Sequence, residues 1–407
     1  LSIQFISVGK YMSKEMILEK IDQAVKILNE KNIDMWMTYV RETGNIKDPM
    51  LDMVVGTNAT WQSAFIITKS GETHAIVGSL ELENMKMTGT YKKISGYLKS
   101  IKEKLIEVLD SYKPSKIAIN FSRNSTLADG LTYGLYLELL DHLKETRYAN
   151  SLVSSEDIIA ALRGRKSPME LQNIKEAIKE TLVIYDEVTK FIKPGLTEKE
   201  VASFVRNIVK TKGYEFAWDE EYCPSVFSGP NTAGAHAGPT DRVIERGHVI
   251  NMDFGIKING YCSDIQRTWY VLHPYEDKAP AEVQKGFDVI KDSITKAAKE
   301  IAPGKKGHEI DEVARHYIQI SGYEEFPHGL GHQVGRVCHD GGCMLGPKWE
   351  RYGNLPMLDI EEGNIFTIEP RLTIENYGIA TIEEMVVVTK NGCEFISERQ
   401  NELYLIK

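Results

Sequence analysis

Apolar positions along the first 150 residues follow two different periods. In KEMILEKIDQAVKILNEKNI (residues 14–33), Ile and Leu recur at helical spacing, and KSIKEKLIEVLDSY (99–112) reads the same way. Around them DMWMTYV, SAFIITKSG, THAIVGS and SKIAINFS are short apolar runs bounded by turn residues, the pattern of strands. The mixture predicts a compact α/β domain without a catalytic constellation. Charge-rich runs such as ELENMKM read as solvated faces. SLVSSEDIIAALRGRKSPMEL (151–171) reads as a connector. In it Pro168 can open a helix that Ser167 caps. A long amphipathic pattern, MELQNIKEAIKETLVIYDEVTKFI, follows. Two domains are therefore expected, residues 1–160 and 161–407.

The second domain repeats itself. IKPGLTEKEVASFVRNIVKTKGYE, from Ile192, aligns with IAPGKKGHEIDEVARHYIQISGYE, from Ile301. Pro194 and Gly195 match Pro303 and Gly304; Glu200 matches Glu309, Arg206 matches Arg315, and Gly213-Tyr214-Glu215 matches Gly322-Tyr323-Glu324. Each copy reads as a loop, a helix and a glycine stop, with a capping-box pattern at Thr197 and Glu200. A second pair of segments also recurs. In ERGHVINMDFG, Gly247 precedes Asp253, and in EEGNIFTIEPR, Gly363 precedes Glu369 at the same spacing. A duplicated domain of two α/β halves with a cleft between them is expected.

Those strands carry carboxylates. VINMDFGIKINGYCSDIQRTWYVL holds a hairpin signal at Asn259-Gly260, which would set Asp253 and Asp264 on opposite arms at similar height. FTIEPRLTIENYGIATIEEMVVVT has a turn at Glu375-Gly378 that folds Glu369 toward Glu383. Like charges facing each other across strands repel, and their neighbours Met252, Phe254, Ile368, Ile382 and Met385 suit packed strands rather than exposed ones. FPHGLGHQVGRVCHD (326–340) adds His328, His332 and His339. The set Asp253, Asp264, His332, Glu369 and Glu383 is rich in oxygen, with one imidazole and no thiolate. It suits Mn²⁺, Co²⁺, Fe²⁺ or Zn²⁺, and it is too large for one small ion but right for two. Paired ions of this kind support hydrolysis of an amide or ester.

Composition narrows the classes. The 407 residues are 42% hydrophobic and 26% charged, as in ordinary folded proteins, and the net charge of −9 argues against a nucleic-acid partner. Five cysteines without CxxC spacing form neither a disulfide framework nor a zinc ribbon. No apolar run reaches the ~18 residues that span a membrane. The opening LSIQFISVGKYM has no basic start and no long apolar core. A cytoplasmic protein is expected.

The motifs MDFGIKINGYCSD, HGLGHQVGRVCHD, TIEPRL and TIEE, in that order, resemble metallopeptidases of the pita-bread fold, in the Xaa-Pro aminopeptidase and prolidase (creatinase-like) branch. The resemblance covers residues from about 165 onward, and the preceding α/β domain and LRGRKSPMEL also look like that branch. It implies an α/β (α+β) chain, with a creatinase-like α/β domain ahead of a duplicated pita-bread domain. By resemblance, Asp253 would hold one metal, Asp264 and Glu383 would bridge both, and His332 and Glu369 would hold the other. Glu369 would also be the general base or proton shuttle. His236, in GAHAGP, and His339 would face the scissile carbonyl and leaving nitrogen, and His328 would support the substrate site.

The implied activity is hydrolysis of the Xaa-Pro bond at the N-terminus of short peptides by a metal-bridging hydroxide. Two divalent ions are implied, Mn²⁺ first and Co²⁺, Zn²⁺ or Fe²⁺ as alternatives, in a homodimer that acts on short peptides with no nucleic acid or membrane partner. An aminopeptidase or dipeptidase without strict proline preference is the alternative. A non-catalytic peptide-binding module of the same fold is a third reading, against which the intact ligand set counts. Three positions depart from the family pattern: Thr381 replaces an Arg two before the last glutamate, Arg371 replaces the small residue after Glu369-Pro370, and Gln266 stands where Thr is common. Arg371 is expected to replace part of the missing charge.

Overall fold

The computed structural model describes residues 12–232 and 237–407. The chain divides into two compact units, Leu1–Arg163 and Gly164–Lys407.

The first unit runs α1 (Lys14–Glu30), β1 (Met35–Val40), α2 (Leu51–Val54), β2 (Ser63–Thr68), β3 (Thr73–Gly78), α3 (Leu82–Thr88), β4 (Lys93–Tyr97), α4 (Lys102–Tyr112), β5 (Ile117–Ile119), α5 (Tyr133–Leu143), β6 (Leu152–Ser154) and α6 (Glu156–Gly164). Its six strands form one mixed sheet in the order β4-β3-β2-β1-β5-β6. All six residues of β1 are buried, so both faces of the sheet are covered. Met35, Met37 and Tyr39 point one way, into a core with Leu105 and Leu109 of α4 and Leu135, Leu139 and Leu143 of α5. The stretch expected to be a connector instead holds β6, the whole of α6 and the start of α7. Leu152–Ser154 is too short to announce a strand, and it becomes one by pairing in parallel with β5. In α6, Ile158, Ile159, Ala161 and Leu162 bury one helical face.

A buried polar chain lies in this unit. The carboxylate of Asp48 accepts from Met50 N–H and Asn120 Nδ2, both at 2.8 Å. Asn120 Oδ1 accepts from the Trp36 indole at 2.7 Å and the Ser155 hydroxyl at 2.8 Å. Burial pushes the Asp48 carboxyl up to about 6, against the pull of these bonds. The folded state thus holds this proton where the unfolded chain, near 4, has lost it. The stability contributed is complete below pH ~4 and is lost as pH rises through about 6, on the order of 3 kcal/mol in all. Asp48→Asn should flatten that slope. Urea unfolding of both proteins from pH 4.5 to 7.5 measures it; parallel profiles would refute the assignment.

The second unit runs α7 (Pro168–Phe191), α8 (Glu198–Lys212), β7 (Glu215–Phe216), β8 (Ser225–Ser228), β9 (Val249–Phe254), β10 (Ile256–Ile258), β11 (Tyr261–Cys262) and β12 (Ile265–Val271). There follow α9 (Ala281–Glu300), α10 (Gly307–Ile320), β13 (Ile365–Ile368), β14 (Arg371–Ile374), β15 (Gly378–Thr381), β16 (Glu384–Thr389), β17 (Gly392–Phe395) and β18 (Tyr404–Ile406). Ser167 caps α7 in a full capping box, with Pro168 in the first turn.

The duplication is explicit in the backbone. Gly195 N–H bonds to Ile244 O, and Gly304 N–H to Ile360 O, both at 2.9 Å. Ile244 N–H returns to Leu196 O, and Ile360 N–H to Lys305 O, both at 2.8 Å. Gly247 N–H reaches Val271 O, as Gly363 N–H reaches Val388 O. Glu200 accepts from Thr197 N–H and Glu309 from Lys306 N–H, each at 2.7 Å, which satisfies a free donor at the start of α8 and of α10. The matched arginines do matched work: Arg206 donates to the carbonyls of Glu221 and Cys223, and Arg315 to those of Phe326 and His328. Each pins the loop that follows its helix. The strands form three sheets, β18-β12-β9-β8, β13-β16-β17 and β11-β10-β7, and the two-stranded β14-β15 hairpin. Among the described residues no helix is long and apolar enough to cross a membrane.

Candidate metal centre

β9 and β12 run antiparallel, with a two-stranded tip beyond them. Ile258 pairs with Tyr261 across Asn259 and Gly260, whose φ angles of 51° and 78° are those of a tight left-handed turn. The register differs from the sequence expectation. Gln266, not Asp264, lies opposite Asp253. Gly255 interrupts the ladder, at a point where a Cβ would lie 2.1 Å from Ser263 O. Ser263 N–H bonds to Ile256 O, and Asp264 falls in the break between β11 and β12. The two carboxyls are still diagonal neighbours, close enough for each to act on the other's ionisation.

In the second half, Ile368 pairs with Glu384, which puts Glu369 and Glu383 at the adjoining positions of β13 and β16. The halves join here. Gln266 and Glu383 form an isolated bridge, with Glu383 N–H on Gln266 O at 3.2 Å. Gln266 Nε2 donates to Glu369 Oε2 at 3.2 Å.

His332 enters from a loop. Its N–H donates to Thr367 Oγ1 at 3.1 Å, and the same hydroxyl donates to Glu369 Oε1 at 3.2 Å. The backbone at Gly331 approaches so closely that a Cβ would lie 2.0 Å from Thr367 O, which explains a glycine between the histidines. His332 Nδ1 faces the carbonyls of Cys338 at 3.1 Å and Gln333 at 3.3 Å. Carbonyls only accept, so Nδ1 carries a proton and Nε2 is turned to Glu369 Oε1 at 3.1 Å and Asp264 Oδ2 at 3.7 Å.

Asp264, His332 and Glu383 each offer a ligand atom within 4.8 Å of the others. Asp253 and Glu369 act electrostatically on the same group. Asp264 is 5% exposed and Glu383 1%. Among the described residues neither oxygen of Glu383 has a hydrogen-bond partner, and Asp253 Oδ1 has none. Burial, then the charges of Asp264 and Glu369, push the carboxyls of Asp253 and Glu383 well above the ordinary range. Burial lifts Asp264 to about 7 although His332 opposes it. Burial works against charge on His332, but Glu369 and Asp264 outweigh it and hold the imidazole up at about 9. Burial would raise Glu369 too, yet the bond to His332 keeps it low. Four clustered carboxyls, two of them with buried unpartnered oxygens, are a poor arrangement for anything but cations. The residues fit a divalent metal centre.

Of the other singled-out histidines, His339 stacks edge-on to His332 with ring centroids 4.3 Å apart. His328 Nδ1 faces Gly329 O at 2.8 Å, and its ring packs on Phe326. His236 lies outside the described residues. The sequence reading missed several residues that hold the site. Thr367 ties His332 to Glu369, and its only signal was the two-residue spacing from Glu369. Arg315 and Asp311 clamp the histidine loop: Arg315 donates to Asp311, Phe326 O and His328 O, while Asp311 Oδ1 accepts Leu330 N–H at 2.9 Å.

A carboxylate-imidazole cluster set between two duplicated α/β halves defines a hydrolytic metalloenzyme of the pita-bread fold. Residues 172–390 match the model of metallopeptidase family M24, and the chain belongs to that family. It is a metal-dependent peptidase. It is 27% identical over 390 residues to an Xaa-Pro dipeptidase of Pyrococcus furiosus, covering 95% of this chain and 99% of that one. It resembles the crystal structure of the prolidase from Pyrococcus horikoshii, with a TM-score of 0.67, 26% identity and coverage of 95% and 99%. An Xaa-Pro dipeptidase structure from Bacillus anthracis shares the fold, with a TM-score of 0.71 at 24% identity, covering 96% of this chain and 100% of that one.

Proposed function

We propose that this protein is a dinuclear-metal exopeptidase that hydrolyses the Xaa-Pro bond at the N-terminus of short peptides. The observation that carries it is the buried cluster around Glu383, whose two unpartnered oxygens face three more carboxyls and His332. Likeness over nearly the whole chain to an Xaa-Pro dipeptidase supports the substrate class. Asp253, Asp264, His332, Glu369 and Glu383 would hold two divalent ions, with Mn²⁺ the first choice for an oxygen-rich set. Such ions, when bound, supply Lewis-acid polarisation and an activated water.

The chain's own residues do the rest. Glu369, bonded to Gln266 and Thr367, is oriented to take a proton and pass it on. His339, beside His332, and His236 would bind the scissile carbonyl oxygen or protonate the leaving nitrogen. His328 supports the loop at the substrate side. Proline presents a tertiary amide without N–H, which a dedicated pocket must accept. The five free thiols fit a reducing, cytoplasmic setting, and a homodimer belongs to the same reading.

The test compares an Xaa-Pro dipeptide, an Xaa-Pro tripeptide and an Xaa-Ala control, with Mn²⁺ and after chelation, in wild type, Asp264→Ala and His332→Ala. Metal-dependent cleavage of the proline substrates alone is expected, with each variant reduced roughly 10³-fold. Equal cleavage of Xaa-Ala would remove the proline assignment and favour an unspecific aminopeptidase or dipeptidase. Absence of cleavage by folded, metal-loaded protein would favour a binding module.

A further inference from the structure

Two of the five free cysteines meet beside the metal centre, on segments far apart in the chain. Cys262 ends β11, two residues before Asp264. Cys338 lies on the loop between His332 and His339. Cys262 N–H donates to Gly335 O at 2.7 Å, which ties β11 to that loop. Both thiols turn to one carbonyl: Cys338 Sγ lies 3.6 Å from Ala217 O and Cys262 Sγ 3.9 Å. The Cys262 thiol is near enough to be the largest influence on Cys338; with burial, it pushes that thiol well up, which slows its oxidation and favours the reduced pair. Cys338 also acts on Asp264. The other cysteines turn to different carbonyls: Cys223 to Gly255 O, Cys343 to Leu358 O and Cys393 to Ala298 O.

Buried cysteines commonly serve as small apolar fillers. This pair differs in its layering and in what it holds. Cys338 is half-buried, so an oxidant can reach it, while Cys262 is wholly buried behind it. An accessible thiol with a second thiol at its back is the arrangement that turns oxidation into a disulfide. The backbone of Cys338 also serves the centre, because its carbonyl accepts from His332 Nδ1 at 3.1 Å. A disulfide holds its sulfurs at ~2 Å, so closing one draws the two segments together. β11 cannot yield, because Ser263 O is pressed against Gly255, where a Cβ would lie 2.1 Å away. The loop moves instead and takes the Cys338 carbonyl from His332.

We propose that Cys262 and Cys338 are a site of reversible oxidation, whose disulfide displaces His332 and weakens metal binding. The oxidant is a peroxide. The Cys338 sulfur attacks one peroxide oxygen, the O–O bond breaks, and the thiol proton leaves in water, giving a sulfenic acid. The Cys262 sulfur then displaces that hydroxyl as a second water, and the S–S bond forms. A dithiol returns both protons and electrons and is itself oxidised to a disulfide.

The experiment treats wild type, Cys262→Ala, Cys338→Ala and Cys223→Ala with hydrogen peroxide in chelator. The peroxide is then removed, and Mn²⁺ is added with and without dithiothreitol. Peptide mapping of wild type should show Cys262 joined to Cys338, with two of the five thiols lost. The Mn²⁺-induced rise in Tm should shrink, with metal affinity down roughly 10–100-fold, the usual effect of losing a bond that orients a ligating histidine. Dithiothreitol should restore both. Cys223→Ala should form the link as wild type does, and the other two variants should not. These readouts need no substrate, so their failure is distinct from failure of the peptidase reading. A link between any other pair, or no link in folded wild type, would overturn the proposal. So would a Cys262–Cys338 link that leaves the Mn²⁺ response unchanged.

Discussion

Glu383→Gln is expected to act in opposite directions on stability and activity. Without metal, Glu383 is buried among Asp264, Glu369 and Asp253, and its two oxygens have no hydrogen-bond partner among the described residues. Burial and these charges push its carboxyl well up, so the folded metal-free protein must keep a proton there. That penalty is absent below the unfolded value and grows as pH rises toward the folded one. Glutamine needs no proton, and its N–H groups can donate to the surrounding carboxylates. In chelator at pH 8 the variant should gain roughly 1–3 kcal/mol, the usual cost of an unsatisfied buried polar group, and the gain should shrink as pH falls. With Mn²⁺ present the order reverses. Wild type rises in Tm because the ions bind the folded state only, while the variant rises much less and loses roughly 10³-fold in kcat/KM. Thermal denaturation with chelator and with Mn²⁺, run beside the peptidase assay, reads both signs. A variant less stable than wild type in chelator, or one with an undiminished Mn²⁺ shift, would remove Glu383 from the metal site.

The second large effect lies behind the site. Arg267 and Glu384 form an ion pair at 1% and 0% exposure, with Nη1 to Oε1 at 3.3 Å. Arg267 also donates to Gln266 O at 2.9 Å, Glu383 O at 3.0 Å and Glu398 O at 2.6 Å. Glu384 accepts from the Ser397 hydroxyl at 2.6 Å and Gln400 N–H at 2.8 Å. Arg267→Ala would leave a buried carboxylate without its cation and remove the guanidinium bonds to three carbonyls, of which Gln266 O keeps Glu383 N–H. A loss of about 3–5 kcal/mol is expected. Hydrolysis should fall with it, because two of those carbonyls belong to residues that join the halves at the centre. Arg267→Met combined with Glu384→Met removes the orphaned charge and should recover a large share of the loss, which urea denaturation of the single and double variants would reveal. A double variant no more stable than Arg267→Ala would show that the carbonyl bonds, not the ion pair, dominate.

Much of the local structure was legible because its causes are local. Ser167-Pro168 starts α7, Asn259-Gly260 makes the hairpin tip, and Gly195 and Gly304 mark the same turn in both halves. Each depends on backbone angles or caps that a few neighbouring residues fix. The residues brought together at the centre could also be singled out, because carboxylates in the middle of apolar strands are costly without a partner and recur in both halves. The hidden strand β6 was not legible, since three residues carry almost no pattern and only the neighbour β5 makes them a strand.

The sequence by itself thus determined α1, α4, α7, α8 and α10, the hairpin and capping turns, the duplication and the chemical character of the cluster, since these follow from composition and short-range spacing. Tertiary structure alone decided the partners. It set Gln266 rather than Asp264 opposite Asp253, in the same register that pairs Ile258 with Tyr261 at the hairpin tip. It placed Thr367 between His332 and Glu369, turned Arg315 onto the histidine loop, and set Arg371 across from Thr381. Register and loop closure arise from contacts between residues far apart in the chain, and in the strands a shift of one residue would turn Gln266, Thr367 and Arg371 to the opposite face.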